Sequence, residues 1–130
     1  FVIKAKVKPS ISDTSGTNTI LSRPTATCYK PQFSIDTYRR EYRVRVSTSN
    51  TMTYTASGGT VIAETWQKII AIMNDNMLYL YVDGEKVAET SVSGTPSASS
   101  ESLFIGQSNP ECDSTFDFTG YLEYVEIYGK

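Results

Sequence analysis

The stretch Leu78-Tyr-Leu-Tyr-Val-Asp-Gly-Glu-Lys-Val-Ala-Glu89 restricts the fold more than any other part of the chain. It contains two alternating runs joined by Asp83-Gly84. A two-residue type I′ turn needs positive φ at both central positions, which Asp tolerates and Gly adopts freely. The turn predicts a register with Val82 opposite Glu85, Tyr81 opposite Lys86, Leu80 opposite Val87 and Tyr79 opposite Ala88. Opposed residues share a face. Leu80 and Val87 are therefore expected in a core, with Tyr79, Tyr81 and Lys86 on the outward side.

Period-two alternation recurs along the chain. In Phe1 to Lys8, residues Phe1, Ile3, Ala5 and Val7 face inward and Lys4, Lys6 and Lys8 outward. Pro9 stops the run, and the lysines read as protection of an outer edge strand. Asn18 to Ser22 is a short strand. Gln32 to Tyr38 puts Phe33 and Ile35 on one face and Ser34, Asp36 and Tyr38 on the other. Arg39-Arg40 is a turn. Glu41 to Ser47 sends Tyr42, Val44 and Val46 inward and Glu41, Arg43 and Arg45 outward. Met52 to Ala56 is a weaker strand, Ser57-Gly58-Gly59 a turn, and Thr60 to Ala63 a further short strand. Trp66 to Met73 is apolar on both faces, as in a central strand, and Trp66 is expected in the core. Leu103 to Gly106 and Phe118 to Tyr128 complete about ten strands, the last with Leu122, Val125 and Ile127 as its apolar positions. Short strands with frequent turns and no convincing helix predict an all-β fold, an antiparallel sandwich or barrel.

Composition narrows the chemistry. At 130 residues the chain fits one domain with a sizeable core. It opens at Phe1 inside an apparent strand, so it is expected to be a domain of a larger protein or a processed product. The formal net charge of -2 disfavours a general nucleic-acid binder. No apolar run is long enough for a transmembrane helix. The absence of His removes the commonest general base and zinc ligand. Cys28 and Cys112 lie in loop-like surroundings, where a disulfide is expected and two free thiols are the alternative. A disulfide would belong outside a reducing cytosol.

The order Trp66 plus apolar strand, Leu78-Tyr-Leu-Tyr-Val-Asp-Gly84, Leu103-Phe-Ile-Gly106 and Phe118-Thr-Gly-Tyr-Leu-Glu-Tyr-Val-Glu-Ile-Tyr128 resembles the laminin-G-like modules of the concanavalin A-like lectin/glucanase superfamily. Glu123-Tyr124 stands where those modules usually carry Asp-Glu. The resemblance implies a jelly-roll β-sandwich of two curved antiparallel sheets. It also implies a module of a surface protein that binds glycans, proteins or calcium.

Catalysis is not expected. Glucanases of this superfamily use Glu-x-Asp-x-x-Glu on one strand, whereas Glu111-Cys-Asp-Ser-Thr-Phe116 ends in Phe. Glu123 and Glu126 are expected on opposite faces of their strand, and no His supplies a triad. The candidate ligand residues are Tyr38, Arg43, Arg45, Tyr79 and Tyr81, all on outward faces. Aromatic rings suit the C–H faces of sugars, and polar side chains suit their hydroxyls. Arg39, Arg40, Arg43 and Arg45 would favour an acidic or sulfated glycan. Loop residues Tyr29 and Asn109 form a second group, and Asp113 and Asp117, near Glu111 and Phe116, offer oxygens for calcium. The expected function is an extracellular, non-catalytic carbohydrate-binding module. The alternative is a structural or adhesion domain that contacts a protein partner or neighbouring domains.

Overall fold

A computed structural model describes residues 1–10, 16–25, 31–48, 52–97, 99, 102–107 and 117–129. These residues contain ten β-strands and no helix. The strands are β1 (Val2–Pro9), β2 (Thr17–Pro24), β3 (Pro31–Tyr38), β4 (Glu41–Ser47), β5 (Thr53–Thr60), β6 (Gln67–Asn74), β7 (Met77–Val82), β8 (Glu85–Ser91), β9 (Phe104–Ile105) and β10 (Gly120–Tyr128). They form two antiparallel five-stranded sheets, ordered β10-β1-β6-β7-β8 and β5-β4-β3-β2-β9. Cys28, Cys112, Tyr29, Asn109, Glu111, Asp113 and Phe116 lie outside the described residues.

The sheets bury their apolar faces against each other. The first supplies Ile3, Ala5, Val7, Ile69, Ala71, Leu78 and Leu80, and the second Ile20, Leu21, Ile35, Tyr42, Val44, Val46 and Ala56. Tyr42 is the largest side chain enclosed there. Its hydroxyl donates to Gln67 Oε1 at 2.6 Å. Gln67 Nε2 donates to the Thr60 carbonyl at 2.9 Å, and the Ile62 amide donates to Gln67 Oε1 at 3.0 Å. Buried polar groups are tolerated when they are bonded in this way. Burial pushes the Tyr42 phenol above its ordinary pKa.

Several expectations change, two of them through β-bulges, which insert one unpaired residue and shift the facing of its neighbours. Val82 pairs Glu85 and Tyr81 pairs Lys86 as expected, but Leu80 pairs Ala88 and Tyr79 pairs Glu89. Val87 is the extra residue, and both it and Ala88 pack against the core. Ser57-Gly58-Gly59 is not a turn, because β5 continues through it to Thr60. The close approach of β8 and β7 explains the glycines. A Cβ on Gly58 would lie 2.6 Å from the Val87 carbonyl oxygen, and one on Gly59, at φ 72°, would lie 2.7 Å from Val82 Cγ2. Thr60 to Ala63 is correspondingly not a separate strand.

Trp66 is 42% exposed rather than buried, because it precedes β6 and lies beside Lys6. Ile127 is also largely exposed, near the end of β10. Strand β1 lies between β10 and β6, so its lysines do not guard an edge. In β10 the register shifts opposite Lys6 and Val7, leaving Glu123 unpaired. Its carboxylate turns to the lysine-bearing side and meets Lys6 Nζ at 2.8 Å. Glu126, opposite Lys4, is on that side too.

Gly58→Ala places its methyl against backbone rather than a flexible side chain. We expect it to destabilise the fold by about 1–3 kcal/mol, read as a lower urea midpoint at unchanged m. An unchanged midpoint contradicts the close-approach explanation.

Candidate functional site

The β3–β4 hairpin brings a compact group of charged side chains together on the outward side of the second sheet. Its two-residue turn sets Tyr38 opposite Glu41, Asp36 opposite Arg43 and Ser34 opposite Arg45. Alternation turns these side chains away from the core. Asp36 is nevertheless fully enclosed, at 0% exposure. Arg43 holds it through two bonds, Nε to Oδ1 at 2.7 Å and NH2 to Oδ2 at 3.0 Å. Arg45 NH2 reaches Oδ2 at 3.3 Å, and Arg43 NH2 also donates to Thr17 Oγ1 at 3.3 Å.

One carboxylate thus faces two guanidinium groups, and the cluster keeps a net positive charge. Burial pushes the Asp36 carboxyl above its ordinary pKa, while the hydrogen bond from Arg43 and the charge of Arg45 pull it back. Burial lowers the pKa of Arg45 and Asp36 opposes that shift. Arginine stays charged regardless. Two polar atoms in this cluster are buried without a hydrogen-bond partner, Arg45 Nε and Ser34 Oγ. Paired charge usually accounts for a buried carboxylate, but it leaves these two groups unexplained.

Tyr38 forms the rim. The Arg43 guanidinium lies 4.5 Å from its ring centroid and that of Arg39 lies 5.1 Å away. Cations held near a ring face are attracted by its quadrupole. Arg39 and Arg40 occupy the two central turn positions at φ 50° and 68°. Arginine is strained there, where Asn-Gly or Asp-Gly is favoured. The Arg40 carbonyl accepts from the Val61 amide at 2.8 Å, which helps fix the turn.

The five outward residues named from the sequence do not share one patch. Tyr38, Arg43 and Arg45 belong to the second sheet, and Tyr79 and Tyr81 to the first. The sheets stack through their apolar faces, so these outward faces point in opposite directions. Tyr79 lies 5.8 Å from Lys86 Nζ. Asp117 is exposed and bridges to Thr19. No group of three carboxylate, Cys or His side chains that could hold a metal occurs among the described residues. Sequence inspection missed Asp36 as the arginines' partner. A two-residue turn at Arg39-Arg40 would have set Asp36 directly opposite Arg43.

Two stacked antiparallel sheets with this strand order define a concanavalin A-like β-sandwich. The Laminin_G_3 family of the concanavalin A-like lectin/glucanases superfamily matches residues 1–130, and the chain belongs to that family. No curated protein sequence matches it. Among solved structures, it is similar to the CBM40 of the Ruminococcus gnavus IT-sialidase bound to α2,3-sialyllactose. That match has a TM-score of 0.78 at 14% identity, covering 98% of this chain and 74% of that one. It also resembles domains LG4-5 of the mouse laminin α1 chain, with a TM-score of 0.76 at 13% identity over 95% of this chain and 33% of that one. The heptameric SAP-like pentraxin of Limulus polyphemus gives a TM-score of 0.68 at 16% identity, over 96% of this chain and 61% of that one. At these identities the likeness establishes the fold alone.

Asp36→Ala leaves two shielded guanidinium groups without their carboxylate and is expected to cost about 3–5 kcal/mol of stability. Adding Arg43→Met to that variant removes one uncompensated charge and is expected to recover part of the loss. Urea unfolding of both variants tests this, and a double variant no more stable than the single one argues against charge as the cause.

Proposed function

We propose that the chain is a non-catalytic carbohydrate-binding module, acting outside the cell, that takes a carboxylate-bearing sugar at Arg43, Arg45 and Tyr38. The Arg45 guanidinium carries this proposal, because its side chain is 23% exposed beside the enclosed Asp36. The group belongs to a cluster that retains positive charge after Asp36 is paired. A guanidinium fork suits a carboxylate in two-bond geometry. The Tyr38 ring offers a flat surface for sugar C–H groups. The sialyllactose complex of the CBM40 neighbour supports the ligand class, because sialic acid carries such a carboxylate.

Catalysis has little support. Glu123 is held by Lys6, and the Tyr128 hydroxyl donates to Glu126 at 2.6 Å. Neither acidic group is positioned with a partner acid or base around open space.

The test is isothermal titration with sialyllactose, glucuronate and uncharged lactose. The acidic sugars are expected to bind and lactose to bind at least tenfold more weakly. Arg45→Gln is expected to weaken acidic-sugar binding by about 1–3 kcal/mol, the range for loss of a charged hydrogen bond, with the melting temperature followed as a fold control. No binding to any acidic sugar by the folded protein favours the structural or adhesion role instead.

A further inference from the structure

The opposite face of the sandwich carries a second arrangement that the arginine cluster does not use. On the outward side of the first sheet, β1 presents Lys4, Lys6 and Lys8 at alternate positions, and β6 and β8 add Lys68 and Lys86. At about 3.4 Å per strand residue, the β1 ammonium groups repeat every ~7 Å and span roughly 14 Å. Strand β10 sets Tyr124 opposite Lys6 and Tyr121 opposite Lys8, while Lys4 faces Glu126 and Tyr128 sits opposite Val2, the next outward position along. Lys4 Nζ lies 5.8 Å from the Tyr128 ring, Lys8 Nζ lies 5.9 Å from Tyr121, and Lys6 Nζ lies 5.7 Å from Trp66.

Structural duties do not account for this face. Edge protection fails because β1 is interior to the sheet. Core packing fails for Tyr121, Tyr128 and Trp66, which are 63%, 51% and 42% exposed. Charge pairing accounts for Lys6, held by Glu123, and Lys86, held by Glu89 at 3.4 Å. Lys4, Lys8 and Lys68 have no ion-pair partner among the described residues.

We propose that this lysine–aromatic face binds an extended acidic polysaccharide lying along β1 and β10. Ammonium groups are point charges that match spaced sulfate or carboxylate groups, and the exposed rings match the flat C–H faces of the sugars between them. The interleaved carboxylates of Glu89, Glu123 and Glu126 select a polysaccharide over nucleic acid. They accept hydrogen bonds from the free hydroxyls that a polysaccharide offers beside its acidic groups and duplex DNA lacks. The whole chain, at a formal net charge of -2, also lacks the basic excess of a nucleic-acid binder. This surface belongs to the other sheet from Arg43 and Arg45, and the proposal is independent of an acidic sugar binding there.

The test titrates the intact chain with heparin, polygalacturonate and a duplex DNA of similar length, at 50 and 200 mM NaCl. One or both polysaccharides are expected to bind, at least tenfold more weakly at the higher salt, as screened exposed charges require. Lys4→Gln with Lys8→Gln is expected to reduce affinity at least tenfold. Tyr121→Ser, at a position too exposed to disturb the fold, is expected to reduce it at least threefold. Arg45→Gln disables the arginine site, and that variant is expected to retain polysaccharide binding that adding Lys4→Gln with Lys8→Gln removes, which separates this surface from the arginine site. DNA binding as tight as polysaccharide binding overturns the proposal. So does loss of binding in Arg45→Gln alone, full affinity in the Tyr121 variant, or no polysaccharide binding at 50 mM salt.

Discussion

Burial of two alternating apolar faces against each other is the constraint from which the other features follow. Ile3, Ala5 and Val7 on one sheet and Ile35, Val44 and Val46 on the other are fully enclosed. Each strand that commits one face to this interior must present the other outward. The arginine pair of β4 and the lysine row of β1 are the outward complements of those buried rows. Their positions are therefore as firmly set as the core, although neither contributes to it.

Single-residue bulges adjust this plan locally. Ile20 is inserted between Thr19 and Leu21, and both Ile20 and Leu21 become fully buried. Val87 is inserted in β8 and thickens the core beneath Gly58 and Gly59. Glu123 is inserted in β10 and brings its carboxylate to the lysine face. Each insertion transfers one side chain between environments without breaking the sheet, the usual use of a bulge beside a binding surface or an edge. The strained Arg39-Arg40 turn fits the same logic. It brings Arg39 beside Tyr38, where an Asn-Gly turn would leave no cation.

Local pattern was sufficient where one face is dry and the other wet. The facing of Lys4, Lys6 and Lys8, of Arg43 and Arg45, and of Leu80 against Tyr79 and Tyr81 follows from alternation alone. Misreadings arose where long-range packing decides. Ser57-Gly58-Gly59 has turn composition, yet the glycines serve a strand crowded by β8. Trp66 has core composition, yet it stops one residue short of β6. Nothing near Val87 or Glu123 in sequence announces an extra residue in the ladder, because bulges are set by matching two strands rather than by either one.

By itself, then, the amino-acid order determined an antiparallel sandwich or barrel, most of the residues that line its strands and most of the side chains that avoid the interior, since those choices depend on period and turn chemistry within a few residues. Tertiary structure alone decided which outward residues become neighbours. It set Tyr38, Arg43 and Arg45 on one side of the molecule and Tyr79 and Tyr81 on the other, and enclosed Asp36 between two guanidinium groups. The physical reason is that sheet membership depends on pairing between strands distant along the chain, such as β1 with β6 and β10. Alternation gives a side chain's facing relative to its own strand, and pairing gives it a place in the molecule.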